Sequence, residues 1–398
     1  MQNAFDGGLS DIAQSTLAHL ARSGEATRKA VAEATGISFP TTTAALAELT
    51  ANDLVTELRR EQGARGRATL IYGVSQRAGW IMGVDIGSTQ ISLVAQGLDG
   101  SILERSNLQH SGVPTDAGTL AGVETSRLLG RVSRKGPLLA VALALNQIVP
   151  RDIEAARATA LPAPAVLDSF SEAAGLDPAV SILVENNVNC AAVAEHHDGV
   201  MLGVDDAAYM QMGVGLGLGF FCDGALIRGG YGASGELAQI PISWSGDVSS
   251  PRHAIEYEFG SQGLVKRAAD EWPPGSIPPN SAEALFGAAE SGNPVAKRVM
   301  TLHGQALGRI AATAATILDP SILVLGGGLS RNPKFSEIVV GEFRQLNFRT
   351  EIAISSKGVE ASVDGAARLA RDLAWTSLVG TYYQAALGRP TIYRGSRL

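Results

Sequence analysis

The spacing of apolar residues changes character along the chain. Over residues 9–55 it is helical. "LSDIAQSTLAHLARSG" carries Ile12, Leu17 and Leu20 near one face, and Gly24 stops it. "TRKAVAEATGIS" opens on a Thr27 cap and closes at Gly36. "SFPTTTAALAELTANDLV" offers Ser38 as a cap and Pro40 in the first turn, where a missing N–H is tolerated, with Leu46 and Leu49 facing inward. The turn "TGIS" is short and contains glycine, as a helix-turn-helix requires. Next, "TELRREQGARGRATLIYGVS" (56–75) reads as two extended arms around a Gly/Arg-rich tip. Three helices and a hairpin predict a winged helix over residues 1–77. Arg59, Arg60, Arg65 and Arg67 outnumber Glu57 and Glu61 there, a local basic patch suited to phosphates or a minor groove. The plainer alternative is a solvated hairpin on a helical accessory domain.

From Trp80 the pattern becomes strands and helices in alternation. "WIMGVDIGSTQISLVAQGLDGSIL" predicts three strands joined by tight turns, and "LLAVALAL" (138–145) and "SILVENN" (181–187) predict buried strands. "AAYMQMGVGLGLGFFCDGALIRGG" is a second strand pair around glycines, and "ALGRIAATAATILDPSILVLGGGLS" is a helix, a buried strand and a glycine loop. This is an α/β chain with mixed sheets. The hairpin start recurs near 81 and near 208, which predicts two related lobes with a cleft between them. Residues 370–398, with Trp375, Tyr382, Tyr383 and Tyr393, predict a C-terminal helix and a tail packed on the body or on a partner subunit.

Composition narrows the class. The 398 residues suffice for two or three domains, and 45% hydrophobic with 18% charged residues is ordinary for a globular protein. No uninterrupted apolar run of about 18 residues occurs, so no membrane span is expected. "MQNAFDGGLSD" lacks a basic region followed by an apolar core, so no secretory signal is expected. Only Cys190 and Cys222 are present, which fits a reducing, cytoplasmic setting. The net charge of −7 removes a global basic field, so any nucleic-acid contact is local.

Three glycine loops carry candidate chemistry. "DIGST" places Asp85 at a strand end, Gly87 in the turn and Thr89 beyond it, an arrangement suited to a phosphate and Mg²⁺. "GVGLGLG", with Gly215 and Gly217, and "GGGLS", with Gly327, let a nucleotide approach the backbone. Each alone is more often a plain turn; the three in this order are more specific. In "VENNVNC" a buried run ends at Glu185, followed by Asn186, Asn187 and Asn189. Amides can hydrogen-bond a hydroxyl but cannot take its proton at neutral pH.

"TGISFPTTTAALAEL" with "GARGRATL", then "GVDIGST", "VENNVN", "GVGLGLGFFCDGALIRGGYGASGELAQ" and "ILDPSILVLGGGLS" resemble the ROK family of repressors, open reading frames and sugar kinases, over residues 10 to about 370. The resemblance is to its regulator branch. It implies an N-terminal winged helix-turn-helix (1–77) followed by a two-lobed actin/hexokinase-like body (78–398). It also implies a DNA-binding regulator, a repressor of carbohydrate uptake or catabolism genes, that senses a sugar or sugar derivative. Sugar contacts carried over are Asn186, Asn187, Glu236 and Glu256, with Asn146 and Gln239 as further candidates; Asp85, Gly87, Thr89, Gly215, Gly217 and Gly327 fall on the nucleotide side.

The chain departs from the family pattern in several places. The family reads Glu-Asn-Asp-x-Asn, its aspartate being the base that activates the sugar hydroxyl; here that position is Asn187. General-base assistance is typically worth about 10²–10⁴ in rate, so phosphoryl transfer is not expected. The family's structural zinc needs a histidine where Gln239 stands and cysteines that "PISWSGDVSSPRHAIEYEFGS" lacks; His196, His197 and His253 do not replace them, so no zinc is expected. Val214 replaces a common threonine, and "ALALNQIVP" (142–150) replaces a Gly/Pro loop near the sugar. ATP and Mg²⁺ are therefore not expected as cofactors. The recognition helix, from Ser38, would present Phe39, Thr41 and Thr43 to bases, with Arg65 and Arg67 at the wing tip. The implied partners are palindromic operator DNA and a small sugar, in a homodimer or, alternatively, a tetramer, with no membrane. Two other readings stay open: an active ATP-dependent sugar kinase with an appended DNA-binding domain, and a ligand-independent regulator with a vestigial cleft.

Overall fold

Local capping sets the N-terminal elements. The computed structural model describes residues 8–62, 68–110, 112–159, 161–240, 254–382 and 390–393. Helix α1 (Asp11–Ser23) starts where the Ser10 hydroxyl accepts from the Ala13 N–H and ends at Gly24, φ 77°. Strand β1 (Glu25–Thr27) leads to α2 (Arg28–Thr35), capped by the Thr27 hydroxyl and closed by the left-handed Gly36. Helix α3 (Phe39–Ala51) is capped by Ser38, and β2 (Val55–Gln62) and β3 (Ala68–Val74) complete a sheet of order β1-β3-β2. Helix, strand, helix, helix, hairpin is the order expected of a winged helix. Two details differ from the sequence reading. Strand β1 was not predicted, and Ile12 is 39% exposed because the buried face of α1 runs through Ala13, Leu17 and Leu20.

The junction that follows is short and tied on both sides. The Ser75 N–H donates to the Leu54 carbonyl, while Trp80 N–H donates to the Pro137 carbonyl and Leu98 N–H to the Gly79 carbonyl. The Trp80 indole N–H reaches the Gly136 carbonyl. Contacts accordingly place the N-terminal fold in one compact unit with the first sheet: residues 1–187 together with 366–398, the second unit being 188–365. Packing thus divides the chain between Asn187 and Val188, inside the stretch that follows the N-terminal fold.

In the first unit β4 (Trp80–Ile86), β5 (Gln90–Gly97) and β6 (Ile102–Gln109) form a meander. Helix α4 (Pro114–Val132) leads to β7 (Leu138–Leu145), and α5 (Ile153–Ala156) and α6 (Ala163–Ala174) lead to β8 (Ser181–Asn186). Strands β4, β7 and β8 are parallel, and β7 is apolar along its length because both faces are covered. The second unit holds α7 (Asn187–Asp198), which begins at the boundary, then β9 (Ala207–Met212), β10 (Leu216–Cys222) and β11 (Ala225–Leu226). Helices α8 (Ala254–Phe259), α9 (Ser261–Glu271), α10 (Ala282–Glu290) and α11 (Pro294–Leu318) precede β12 (Ile322–Gly326), α12 (Pro333–Leu346) and β13 (Glu351–Ile354). Helix α13 (Ala361–Val379) starts in the second unit and returns to the first, where the turn 380–382 packs on α1 and β14 (Thr391–Tyr393) pairs with β8. Strand β14 was not foreseen.

Apart from the edge strand β14 beyond β8, the two body sheets run β6-β5-β4-β7-β8 and β11-β10-β9-β12-β13, the same order with the same pattern of directions. Helix seating repeats too. A Cβ at Gly118 or Gly122 of α4 would lie 2.7 Å or less from α6 atoms, and one at Gly304 or Gly308 of α11 would lie 2.8 Å or less from α12 atoms. Each lobe thus uses a glycine pair four residues apart to bring two helices into backbone contact, as two related lobes would.

Candidate functional site

The exposed start of α3 presents small and apolar groups. Phe39 is 53% exposed, and the Arg28 guanidinium sits 5.5 Å from its ring centroid while donating to the Tyr72 hydroxyl at 2.9 Å. Ser38 caps the helix and shares a 2.6 Å hydroxyl contact with Thr41, while the Thr43 hydroxyl donates to the Phe39 carbonyl. Both threonines keep acceptor capacity, but their hydroxyls already serve the helix. The described arms of the β2–β3 hairpin are less basic than their composition. Arg59 makes a bidentate pair with Glu25 and a contact to Glu61, and Arg60 lies 3.8 Å from Glu57. The Glu25 carboxyl is held below its ordinary range by the Arg59 hydrogen bonds. Arg65 and Arg67 lie outside the described residues.

Several predicted body residues converge in the first unit. Asp85 is the penultimate residue of β4, and Gly87 N–H donates to the Gln90 carbonyl to close the β4–β5 turn, with Thr89 exposed on it. His110 Nε2–H donates to the Gly87 carbonyl. Asn146, from the altered loop after β7, donates to the Ser88 hydroxyl at 2.9 Å, and Asn186 donates to the Gln147 carbonyl at 3.2 Å. The loop therefore joins the "DIGST" turn to the end of β8 despite its lost glycine and proline. Asn187, the first residue of α7, is 8% exposed beside the buried Glu185. Ser88, Gln147 and His110 were not singled out in the sequence, since their roles depend on partners far along the chain.

The second unit gathers the other candidates. Gly235, φ 81°, lets Glu236 follow a turn pressed on β10: a Cβ there would meet the Leu218 carbonyl at 1.7 Å. Gln239 is exposed, three residues on, its N–H donating to the Glu236 carbonyl. Glu256 lies in the first turn of α8, and its carboxylate lies 3.5 Å from where a Gly215 Cβ would be. A residue expected beside a sugar thus lies on a loop expected beside a phosphate, and a carboxylate there opposes a second anion. Gly327, φ 84°, packs on Met212, and Gly213 is close to the Gly328 N–H, so the second and third glycine loops do meet. Gly217 also has a packing role. With Gly219 it lies under the first turn of α7, where its Cβ would be 2.7 Å from Val188, so its smallness seats a helix.

His196 stacks on Phe221 at 4.0 Å with Nε2–H donating to the Val204 carbonyl, while His197 is exposed. Among the described residues no group of three His, Cys, Asp or Glu gathers around a metal position; His253 lies outside them.

One residue passed over in the sequence anchors α7. Glu195 is fully buried, and its carboxylate accepts from the Ser355 and Ser356 hydroxyls and from the Val200 and Lys357 N–H groups, at 2.6–3.0 Å. Burial pushes its pKa up, but Ser355 and the other donors pull it below the ordinary carboxylate range.

The ROK family model matches residues 81–373. The xylose repressor of Caldicellulosiruptor bescii is 24% identical over 328 residues, 77% of this chain and 79% of that protein. A ROK family transcriptional regulator, a homologue of the E. coli MLC protein, superposes with a TM-score of 0.71 at 19% identity, over 94% of this chain and 99% of its own. A ROK family glucokinase from Streptomyces griseus, solved with glucose and AMPPNP, gives a TM-score of 0.58 at 25% identity, over 74% of this chain and 99% of its own. Among the described residues no helix is long and apolar enough to cross a membrane.

Proposed function

The chain belongs to the ROK family, and from that premise we propose that it is a DNA-binding transcriptional regulator, a repressor of carbohydrate uptake or catabolism genes. Its kinase-like body senses a sugar or sugar derivative without phosphorylating it. The observation that carries this reading is coverage. The regulator structure extends over 94% of the chain, whereas the glucokinase covers 74%. The difference is of the size of the N-terminal helices and hairpin. Identity does not separate the two classes, since repressor and kinase stand at 24% and 25%.

Asn187 supports a non-catalytic body, because an amide cannot accept the proton of a sugar hydroxyl. Asn186, Asn187 and Glu236 are the proposed sugar contacts, and Glu256 against Gly215 weighs against a phosphate in that turn. Ser38, Phe39, Thr41 and Thr43 face DNA, with Arg65 and Arg67 on the wing, as a homodimer on a palindromic operator. Sugar binding alters operator affinity only by favouring one state of the protein over another.

Calorimetry against sugars, amino sugars and sugar phosphates, with and without ATP and Mg²⁺, tests the reading together with an operator-binding assay of any hit. Sugar binding without ADP formation, and a shift in DNA affinity, is the expected result. Sustained sugar phosphorylation that Asp85→Ala abolishes would return the protein to the kinases.

A further inference from the structure

A cavity of about 830 Å³ opens in the first unit where the N-terminal fold meets the sheet. One wall is cationic: Arg77 from the junction, Arg134 and Lys135 after α4, and Arg371 from α13. The other carries Asp53, after α3, and Glu57 on β2. Asp99 also lines it, but its carboxylate accepts from Ser101 N–H and Oγ. Among the described residues Arg77, Arg134 and Lys135 have no ion-pair partner, whereas nine other arginines do. Three cations with no direct ion-pair partner in one concavity attract an anion there, even with Asp53, Glu57 and Asp99 in the same lining.

We propose that this seam binds a phosphorylated polyol, a sugar phosphate in size and chemistry, at a place separate from the sugar contacts at β8. The guanidinium groups and Lys135 hold the phosphate, for which planar N–H forks are well matched. Asp53 and Glu57 accept the hydroxyls. The volume lies within the range of small-molecule sites, about 300–1,000 Å³. DNA is the poorer occupant. The acidic wall repels a continuous phosphate backbone, and none of Ser38–Thr43 lines the cavity. A ligand gripping both walls would fix the N-terminal fold against the sheet. The effect of that on operator affinity rests on the regulator reading above; the binding itself does not.

The test is calorimetry on the full chain with glucose 6-phosphate, inorganic phosphate and glucose as probes, on the wild type, Arg134→Ser/Lys135→Ser and Asn186→Ala. Arg134 and Lys135 are exposed, so the double variant should fold, which circular dichroism checks. Glucose 6-phosphate is expected to bind more tightly than phosphate, to weaken by about tenfold or more in the double variant, and to be unaffected by Asn186→Ala. Loss in Asn186→Ala instead, equal binding by the double variant, or no binding at millimolar probe overturns the proposal. So does a double variant that weakens only duplex DNA binding. Absence of operator binding in every state would sink the regulator reading and leave the calorimetric result standing.

Discussion

Replacing Glu195 by glutamine removes one charge and almost no volume, yet the effect should be large. Each carboxylate oxygen accepts one serine hydroxyl and one backbone N–H: Oε1 from Ser355 and Lys357, Oε2 from Ser356 and Val200. Whichever way the new amide turns, its NH₂ meets a backbone N–H that then has no acceptor. A buried donor left unsatisfied costs about 1–3 kcal/mol, and the bonds that survive lose their charge assistance. Together these come to about 3 kcal/mol, or a drop of about 6–12 °C in melting temperature for a domain of this size. The acid limb gives a second check. The folded pKa is lowered from 4.5, so the carboxylate's contribution is complete above that value and is lost as pH falls through the folded value. The gap between wild type and Glu195→Gln should therefore close in acid. Calorimetric or urea unfolding at pH 7 and below 4 measures both. A melting temperature within about 1 °C of wild type at pH 7, or a gap indifferent to acid, would refute the argument.

Asn186→Ala removes the amide that reaches Gln147 and the proposed sugar, and should weaken sugar binding by about 1–2 kcal/mol, roughly 5- to 30-fold by calorimetry, with little effect on operator affinity without sugar. Phe39→Ala takes an exposed ring from the start of α3; operator binding should weaken in a footprint or gel-shift assay while the melting temperature moves by less than about 2 °C. His303 is buried, donates to the Phe259 carbonyl and has its pKa pushed down to about 4 by burial. The unfolded chain binds the extra proton first, so stability should fall by about 3 kcal/mol between pH 6.5 and 4, and His303→Gln should flatten that limb of a stability-against-pH curve.

What the sequence disclosed was local. Ser10, Thr27 and Ser38 cap their helices, and Gly24 and Gly36 end them, because a cap is decided within a few residues. Leu138–Leu145 is a strand with the limits its apolar run suggested. Pairing at a distance stayed hidden. Strands β1 and β14 have three residues each, too few for alternation, and exist only through Gly73 and its neighbours or β8. Arg59 looks like a DNA contact until Glu25, 34 positions away, is brought beside it. Glu195 looks like an ordinary helical glutamate until Ser355 arrives from 160 positions away. Gly217 sits in a run that reads as a phosphate loop, and its packing against the first turn of α7 becomes visible only in the fold.

On the proposed reading as a DNA-binding regulator, the junction at 75–79 bears on which stretches of a chromosome the protein can recognise. Loose, five residues would let the N-terminal fold roam by about 17 Å; hydrogen-bonded at Ser75, Gly79 and Trp80, they leave it little play. In a symmetric pair the two recognition helices would then stand at a set distance and a set angular phase. One inserted base pair shifts the second half-site by about a tenth of a helical turn, so tolerance for spacer length should be narrow. True operators should share one spacer length even where their bases differ, and that length can be counted in genomic DNA upstream of the genes it controls.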